Sequence, residues 1–228
     1  MKATIIYGSE SNILENYYNE EKDCIIRLYN NRVPNPKKNC IDIKFSSQNF
    51  SILKNELDKI LPNIKKLIFL GVAFASDKNL LKLSSDQDIE ELIKVNINNY
   101  IKLSKFILEY MLKVKSGKFI YFSSFRSQNP TRGTAIYSAS KAFGESFFKT
   151  LGMEYGMFNI TSHIIRMGYF DGRLLDNLSK EKKIEITKRI SKGRLGNSKD
   201  LVDLVRFLED HDYTNSGIIE LNGGLDFY

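Results

Sequence analysis

The feature that most constrains the fold is a regular alternation of short apolar runs with segments of helical periodicity. The apolar runs predict strands at Ala3–Tyr7, Cys24–Leu28, Cys40–Ile43, Leu67–Leu70, Phe119–Phe122, Thr161–Arg166 and Ile218–Leu221. The segments between them predict helices at about Ile13–Glu21, Phe50–Leu61, Ile89–Lys115, Tyr137–Tyr155 and Lys199–Leu208. Strands separated by helices are joined by right-handed crossovers, which make neighbouring strands parallel. The sequence therefore predicts an α/β fold built on a doubly wound parallel sheet of about seven strands.

The longest predicted helix has signals at both of its ends. Ser85 followed by Asp88 resembles a capping box at the start, and Gly117 is expected to stop the helix before the next strand. The chain shows no internal repeat and no linker, so we expect a single domain over residues 1–228. In such a sheet, ligands bind beyond the carboxyl ends of the strands. These ends are the segments that follow Tyr7, Leu28, Leu70, Phe122 and Arg166.

Tyr137 and Lys141, in the segment Tyr-Ser-Ala-Ser-Lys, are the first candidates for chemistry. Positions four residues apart share a helix face. A nearby cation favours the phenolate and lowers the pKa of tyrosine, which makes Tyr137 a candidate general acid/base. A second Tyr-x-x-x-Lys pattern, Tyr18–Lys22, is assigned to an exposed helix face. The Tyr137 copy differs because the strand before it ends in Ser123 and Ser124.

These residues are part of a longer resemblance, which runs from about Leu67 to Gly224. This stretch resembles the short-chain dehydrogenase/reductase superfamily, and most resembles its 3-oxoacyl-carrier-protein reductase-like branch. Ser124 stands thirteen residues before Tyr137, and Asn96 lies in Val-Asn-Ile, as the family pattern requires. The closing segments Gly193–Gly196 and Asn222–Gly224 are also similar to those of the family.

The resemblance implies a Rossmann-type fold and a role for each catalytic residue. It implies an NAD(P)-dependent oxidoreductase that interconverts a ketone or aldehyde and an alcohol, with acyl thioesters and sugar-derived compounds as candidate substrates. Tyr137 would exchange the proton, Ser124 would hydrogen-bond the carbonyl oxygen, and Lys141 would hold the nicotinamide ribose and lower the pKa of Tyr137. Asn96 would hold a proton-relay water near the lysine. For Asn96 alone, the alternative is a helix-interior asparagine that faces solvent.

The cofactor-binding segments depart further from the family pattern. The family's Thr-Gly-x-x-x-Gly-x-Gly is replaced by Tyr7–Leu14, in which only Gly8 is in register. Ser9 offers a hydroxyl to phosphate, and Asn12 tolerates a left-handed backbone, but Glu10 is unfavourable beside a pyrophosphate unless it points away. Either the dinucleotide binds in a modified way or its affinity is partly lost, and we favour the first. The residues implied as cofactor contacts are Gly8, Ser9, Asn12, Ile13, Asp42, Ile43, Gly71, Ala73, Tyr137, Lys141, Met167 and Gly168.

The choice between NAD and NADP is weakly marked. Members that prefer NAD place an acidic residue at the end of the second strand, and the segment Leu28–Arg32 has none. Nearby cations suggest a contact with a 2′-phosphate, which gives NADP a slight preference, although they could be ordinary surface charges. These cations are Arg27, Arg32, Lys37 and Lys38.

The composition of the chain limits the classes of partner that we expect it to bind. The net charge of +7 comes from scattered residues without a long Lys/Arg block, which favours a solvated surface over nucleic-acid binding. Cys24 and Cys40 are expected to be free thiols in a reducing cytoplasm rather than metal ligands. No apolar run approaches the length of a membrane span. We therefore expect neither nucleic acid nor membrane as a partner, and the family resemblance implies a small-molecule carbonyl or alcohol substrate.

Two further hypotheses concern function and assembly. The altered glycine segment admits a non-enzymatic dinucleotide sensor or partner-binding scaffold on the same fold. A homodimer or homotetramer is expected because family members pair through the helices here at Ile89–Lys115 and Tyr137–Tyr155. Phe143, Phe147 and Phe148 would supply apolar area to that interface, or would instead belong to the core. The segment from Gly168 to about Lys192 is expected to form a lid over the substrate.

Overall fold

The computed structural model describes residues 1–10, 12–20, 23–30, 32–48, 50–73, 75–76, 80–172 and 179–226. Its strands are β1 (Lys2–Tyr7), β2 (Cys24–Tyr29), β3 (Cys40–Lys44), β4 (Lys66–Gly71), β5 (Gly117–Ser124), β6 (Ile160–Met167) and β7 (Gly217–Leu221). Its α-helices are α1 (Glu15–Glu20), α2 (Ser51–Ile60), α3 (Asp86–Ile93), α4 (Asn99–Val114), α5 (Ala135–Tyr155), α6 (Lys180–Lys188) and α7 (Ser198–Asp210).

The strands form one parallel sheet of seven in the order β3-β2-β1-β4-β5-β6-β7. The chain first builds outward from β1 to β3 and then returns to the other side of β1 at β4. This reversal places a crevice beyond the carboxyl ends of β1 and β4, where ligands bind in such sheets. The doubly wound parallel sheet expected from the sequence is confirmed.

Both faces of the sheet are covered by helices. Consecutive residues of β4 point to opposite faces, so Phe69 belongs to the core cluster under α2, α4 and α5, while Ile68 belongs to the cluster under α1 and α7. This two-sided burial explains why β4 is apolar along its length. Phe148 is fully buried in the first cluster, so it is part of the core and not of an outer surface.

The long helix predicted over Ile89–Lys115 is divided into α3, a π-helical segment at Lys94–Asn98, and α4. The expected start is present, because the Ser85 hydroxyl accepts a hydrogen bond from the Asp88 amide at 3.1 Å. The helix ends within one residue of the predicted Lys115, but Gly117 is not its stop: Lys115, at a φ of 56°, caps α4, and Gly117 already belongs to β5. A Cβ at Gly117 would lie 2.4 Å from the Met111 sulfur, so glycine here allows β5 to lie close to α4.

Candidate active site

Helix α5 carries Tyr137 and Lys141, and it lies unusually close to β5. A Cβ at Gly144 would lie 2.3 Å from Cζ of Tyr121, so only glycine at this position permits the observed approach. Because Lys141 is less than one helical turn before Gly144, the same approach brings its side chain onto the end of β5. Lys141 is buried at 3% exposure.

The Lys141 ammonium is held at the end of β5. Its Nζ donates a hydrogen bond of 2.8 Å to the Phe122 carbonyl oxygen and lies 5.0 Å from the Tyr121 ring centre. It is 5.9 Å from the ring centre of Tyr137, which confirms that the two side chains share a helix face. Burial lowers the pKa of Lys141 to about 7, against an opposing effect of the Glu145 carboxylate.

Tyr137 meets Ser124 across the site, because its hydroxyl is hydrogen-bonded to the Ser124 side chain. Ser124 is placed by a turn, in which its Oγ accepts a hydrogen bond from the Arg126 amide at 3.3 Å. Burial raises the pKa of Tyr137 above its ordinary value, while the Ser124 hydrogen bond and the Arg126 charge lower it. Burial therefore outweighs the two groups that lower the pKa of Tyr137 in this geometry.

Asn96 lies in the π-helical segment and is buried at 1% exposure, so the alternative of a solvent-facing asparagine is wrong. Its Oδ1 accepts a hydrogen bond of 2.7 Å from the Ala75 amide. Its Nδ2 donates to the Ala75 carbonyl at 2.8 Å and to the Ser140 hydroxyl at 2.9 Å. The Asn96 side chain thus ties the segment after β4 to helix α5, one residue before Lys141. π-Helical turns of this kind occur frequently at functional sites.

A buried ion pair that the sequence analysis missed lies beneath Ser124. The Glu145 carboxylate pairs with Arg166 of β6 at 2.7 Å and also accepts hydrogen bonds from Ser123 at 2.6 Å and Ser127 at 2.5 Å. Burial alone would raise the pKa of Glu145, but these hydrogen bonds lower it below its ordinary value. Arg166 also bonds Glu220 of β7. An arginine within a buried strand is the sequence signal that could have revealed this pair.

The glycine segment after β1 turns toward β2. The Leu28 carbonyl oxygen accepts hydrogen bonds from the Gly8 amide at 3.1 Å, the Ser9 amide at 3.4 Å and the Ser9 hydroxyl at 3.2 Å. Gly8 has a φ of 93°, and a Cβ there would lie 2.3 Å from the Ala73 amide nitrogen. A side chain at Gly8 is excluded on both grounds. Asn12–Leu14 forms a 3₁₀ turn ahead of the short helix α1, and places Ile13 against the core.

Glu10 is directed at the loop that follows β2. Its Oε1 accepts hydrogen bonds from the Asn30 amide at 3.1 Å and the Arg32 amide at 2.6 Å. Asp42 of β3 forms a two-pronged ion pair with Arg27, at 2.7 and 2.8 Å, and Arg27 is buried at 1% exposure. Asp42 and Arg27, two charged residues that the sequence analysis assigned to cofactor binding, are therefore bound to each other.

The remaining expected contacts lie at the same edge of the sheet. Gly71 ends β4, and the Ala73 amide bonds the Tyr7 carbonyl oxygen at 2.8 Å. Met167 ends β6, and the Gly168 amide bonds the Leu221 carbonyl oxygen at 3.0 Å. Ile43 is buried in β3. The structure thus brings all the expected segments to one edge, although Asp42 is engaged by Arg27.

Two further predictions concern the Tyr18–Lys22 pattern and the lid expected over the substrate. Tyr18 is buried at 7% exposure, so the exposed face expected for the Tyr18–Lys22 pattern is wrong, and Lys22 itself lies outside the described residues. Within the expected lid, residues 173–178 lie outside the described residues, and Lys180–Lys188 forms helix α6 with no buried side chain.

The part of the chain that the structure describes holds no cluster of three or more His, Cys, Asp or Glu side chains able to bind a metal. Among the helices in that part, none is both long enough and apolar enough to cross a membrane.

Comparison with known proteins agrees with this geometry. Residues 38–183 match the model of the short chain dehydrogenase family. The 3-oxoacyl-[acyl-carrier-protein] reductase FabG of Buchnera aphidicola subsp. Baizongia pistaciae is 28% identical over 193 residues, which cover 83% of this chain and 78% of that protein. The Haemophilus influenzae reductase of the same name is 28% identical over 179 residues, or 75% of this chain and 74% of that protein.

Solved structures show the same fold. A short chain dehydrogenase from Leptospira borgpetersenii with bound NAD+ superposes with a TM-score of 0.84 at 21% identity, covering 98% of this chain and 92% of that chain. ElxO with NADP bound superposes with a TM-score of 0.82 at 16% identity, covering 98% of each chain. Because the family model matches most of its length, this chain belongs to the short-chain dehydrogenase/reductase family of NAD(P)-dependent oxidoreductases.

Proposed function

We propose that the protein interconverts a ketone or aldehyde and an alcohol, with Tyr137 as the general acid/base. The observation that carries the proposal is the hydrogen bond between the hydroxyls of Tyr137 and Ser124, on a helix face shared with the buried Lys141. Because the two hydroxyls lie within hydrogen-bonding distance of each other, a substrate oxygen placed beside them can contact both.

The side chains divide the proton and charge chemistry among them. The Tyr137 hydroxyl donates its proton to the carbonyl oxygen in reduction and accepts it back in oxidation. The Ser124 hydroxyl donates a hydrogen bond to the same oxygen as negative charge develops on it. Lys141, whose pKa is about 7, is able to pass a proton near neutral pH. Asn96 fixes the spacing between the segment after β4 and helix α5.

The chemistry of these groups fits a nicotinamide dinucleotide at this edge of the sheet. A bound dinucleotide supplies the hydride in reduction and takes it up in oxidation. Lys141 and Tyr137 would hold its nicotinamide end, and the segments at Gly8–Ser9, Ala73 and Gly168 would lie along it. The crevice between β1 and β4 is the position at which doubly wound sheets bind such ligands. A cytoplasmic location belongs to the same proposal and is supported by the free thiols of Cys24 and Cys40.

We propose a 3-oxoacyl thioester as the substrate class to test first, ahead of sugar-derived ketones. The support is the name of the reductases to which the chain is 28% identical. The experiment follows the oxidation of NADH and of NADPH by absorbance, with an acetoacetyl thioester and a panel of keto compounds. Tyr137→Phe should lower kcat by about 10²–10⁴-fold, because it removes the proton donor while keeping the ring.

Tyr155→Phe, at the other end of α5, is the matched control and should keep the rate of the unmodified enzyme. If Tyr137→Phe keeps the rate as well, Tyr137 is not the acid/base. If the folded protein binds neither dinucleotide, the reductase proposal fails, and the scaffold hypothesis takes its place.

A further inference from the structure

The carboxylate of Glu10 is bound by the loop that follows β2. In doubly wound dinucleotide-binding folds, the adenosine ribose lies against the end of the second strand, about 20 residues after the glycine turn. Here that end is the loop at Asn30 and Arg32, and both of its amides donate to Glu10 Oε1, at 3.1 and 2.6 Å. The segment Leu28–Arg32 carries no acidic side chain of its own. The carboxylate is therefore delivered to this loop from the other side, by the turn after β1.

This arrangement disfavours a phosphate on the ribose for two reasons. The amides of Asn30 and Arg32, which could bind a 2′-phosphate, already bind a carboxylate oxygen. A 2′-phosphate would also bring a negative charge next to Glu10, and like charges at such short range repel strongly in a partly buried site. A ribose with free hydroxyls meets neither obstacle, because a hydroxyl can donate a hydrogen bond to the carboxylate.

Some of the cationic side chains in the cleft beside this loop are already paired with carboxylates of the protein. This cleft is lined by Glu10, Glu15, Arg27, Arg32 and Lys37 among others. Arg27 donates both prongs of its guanidinium to Asp42 and one further bond to the Asn35 carbonyl at 2.7 Å. Lys37 bonds the Glu15 carboxylate at 2.5 Å. Two of the cations that suggested NADP in the sequence thus have carboxylate partners within the protein.

We propose that Glu10 makes this protein select NAD(H) over NADP(H), by occupying the Asn30 and Arg32 amides with a negative charge. This assignment rests on the proposed function and replaces the slight preference for NADP expected from the sequence. Glu10 acts here as a specificity-determining residue, and it takes the place of the acidic residue that the end of β2 lacks.

A purely structural role for Glu10 leads to a different expectation. If the carboxylate only tied the two loops together, its loss would weaken the binding of both dinucleotides by a similar factor. If it discriminates, its loss changes the ratio of the two affinities. The ratio of dissociation constants, measured by binding, is therefore the informative quantity.

The experiment measures the binding of NADH and NADPH by isothermal titration calorimetry, on the unmodified protein and on Glu10→Gln. Glutamine keeps an oxygen that can accept from the two amides but removes the charge. We expect the unmodified protein to bind NADH about tenfold or more tightly than NADPH, and Glu10→Gln to reduce this ratio by about tenfold, chiefly through tighter binding of NADPH. Glu20→Gln, which removes an exposed charge at the end of α1, should leave the ratio unchanged.

A second measurement needs no variant and so does not depend on how Glu10→Gln folds. Adenosine 5′-monophosphate should displace NADH from the unmodified protein more effectively than adenosine 2′,5′-bisphosphate does. The inference is overturned alone if the protein binds NADPH as tightly as NADH, if the bisphosphate competes better, or if Glu10→Gln weakens both dinucleotides equally. If neither dinucleotide binds, the proposed function falls together with this inference.

Discussion

At the scale of a single residue, the burial of the Lys141 ammonium lowers the stability of the folded protein. The ammonium is removed from water at the end of β5, where it has the Phe122 carbonyl and the Tyr121 ring as neighbours. Its pKa in the folded protein is about 7, against an ordinary value of 10.5. Between these two pH values the unfolded chain binds the proton more strongly. Protonation therefore favours unfolding increasingly as the pH falls from 10.5 to 7, and below 7 the cost is constant.

Replacing Lys141 with methionine should therefore stabilise the protein at neutral pH while abolishing turnover. At pH 7 we expect the free energy of unfolding to rise by about 2–4 kcal/mol, since each pKa unit is worth about 1.4 kcal/mol and the lost contacts offset part of the gain. The gain should shrink as the pH is raised toward 10. Urea unfolding at several pH values measures this difference.

Lys149→Met, on an exposed position of the same helix, is the control for the loss of a lysine from α5. Its effect on the free energy of unfolding should be small, because the side chain is exposed. A Lys141→Met protein that is less stable than the unmodified one at pH 7 would contradict the argument from burial.

At the scale of secondary-structure elements, the site depends on the close packing of α5 on β5. Gly144→Ala would place a methyl group 2.3 Å from the Tyr121 ring, so the helix must move or the ring must turn. Overpacking of this kind costs about 1–3 kcal/mol. We expect a loss of stability in that range and a lower kcat, because the shift also displaces Lys141.

A double-mutant cycle separates this clash from other effects of the alanine. Tyr121→Leu removes the atoms that the new methyl group would meet, so Gly144→Ala should cost clearly less free energy of unfolding in that background. Equal costs in the two backgrounds would show that the Tyr121 ring is not what requires glycine.

The Glu145–Arg166 pair joins three elements beneath the site, and its two partners should behave as one unit. Removing one partner leaves a buried charge uncompensated, which costs about 3–5 kcal/mol. We therefore expect Glu145→Met and Arg166→Met each to destabilise the protein by about this amount, and the double variant to be less destabilised than either. Thermal and urea unfolding of the three variants test this, and additive losses would argue against a coupled pair.

The positions of the elements could be predicted from the sequence, whereas their contacts and irregularities could not. Each strand core was marked by an apolar run such as Leu67–Leu70, and the Ser85 cap by its spacing to Asp88. The π-helical turn around Asn96 escaped prediction because its apolar periodicity resembles that of an α-helix. Helix α6 has no fully buried side chain, and its two isoleucines, Ile184 and Ile186, are two residues apart and so do not follow the helical period. The Arg27–Asp42 pair depends on the register of β2 and β3, which the sequence does not reveal.

In the candidate site, too, contacts between segments far apart in sequence could not be predicted. Tyr137 and Lys141 could be placed on one helix face because positions four residues apart share it, whereas Ser124 was selected by the spacing that the family resemblance implies. The position of Glu10 depends on how the turn after β1 meets the loop after β2. Two segments so far apart in sequence meet only through the sheet, so the direction of the Glu10 side chain could not be inferred.

At the scale of the whole molecule, the helices α4 and α5 offer a surface for assembly. Ile101 and Leu112 of α4 are 39% and 36% exposed, and Met153 of α5 is 70% exposed. Phe143 and Phe147 of α5 stack on each other with ring centres 5.6 Å apart and stay partly exposed, while Phe148 is in the core. Apolar area on two neighbouring helices of this kind is a candidate interface between copies of the chain.

We predict that the protein forms a dimer or tetramer through α4 and α5, and that a charge on this surface dissociates it. Ile101→Glu should convert the assembly to monomer in sedimentation velocity at micromolar concentration, because a carboxylate would be buried without a partner. Ile52→Glu places the same charge on α2, where the side chain is 58% exposed, and should leave the assembly intact. A monomeric unmodified protein would remove the hypothesis, and an assembly that survives Ile101→Glu would place the interface on another face.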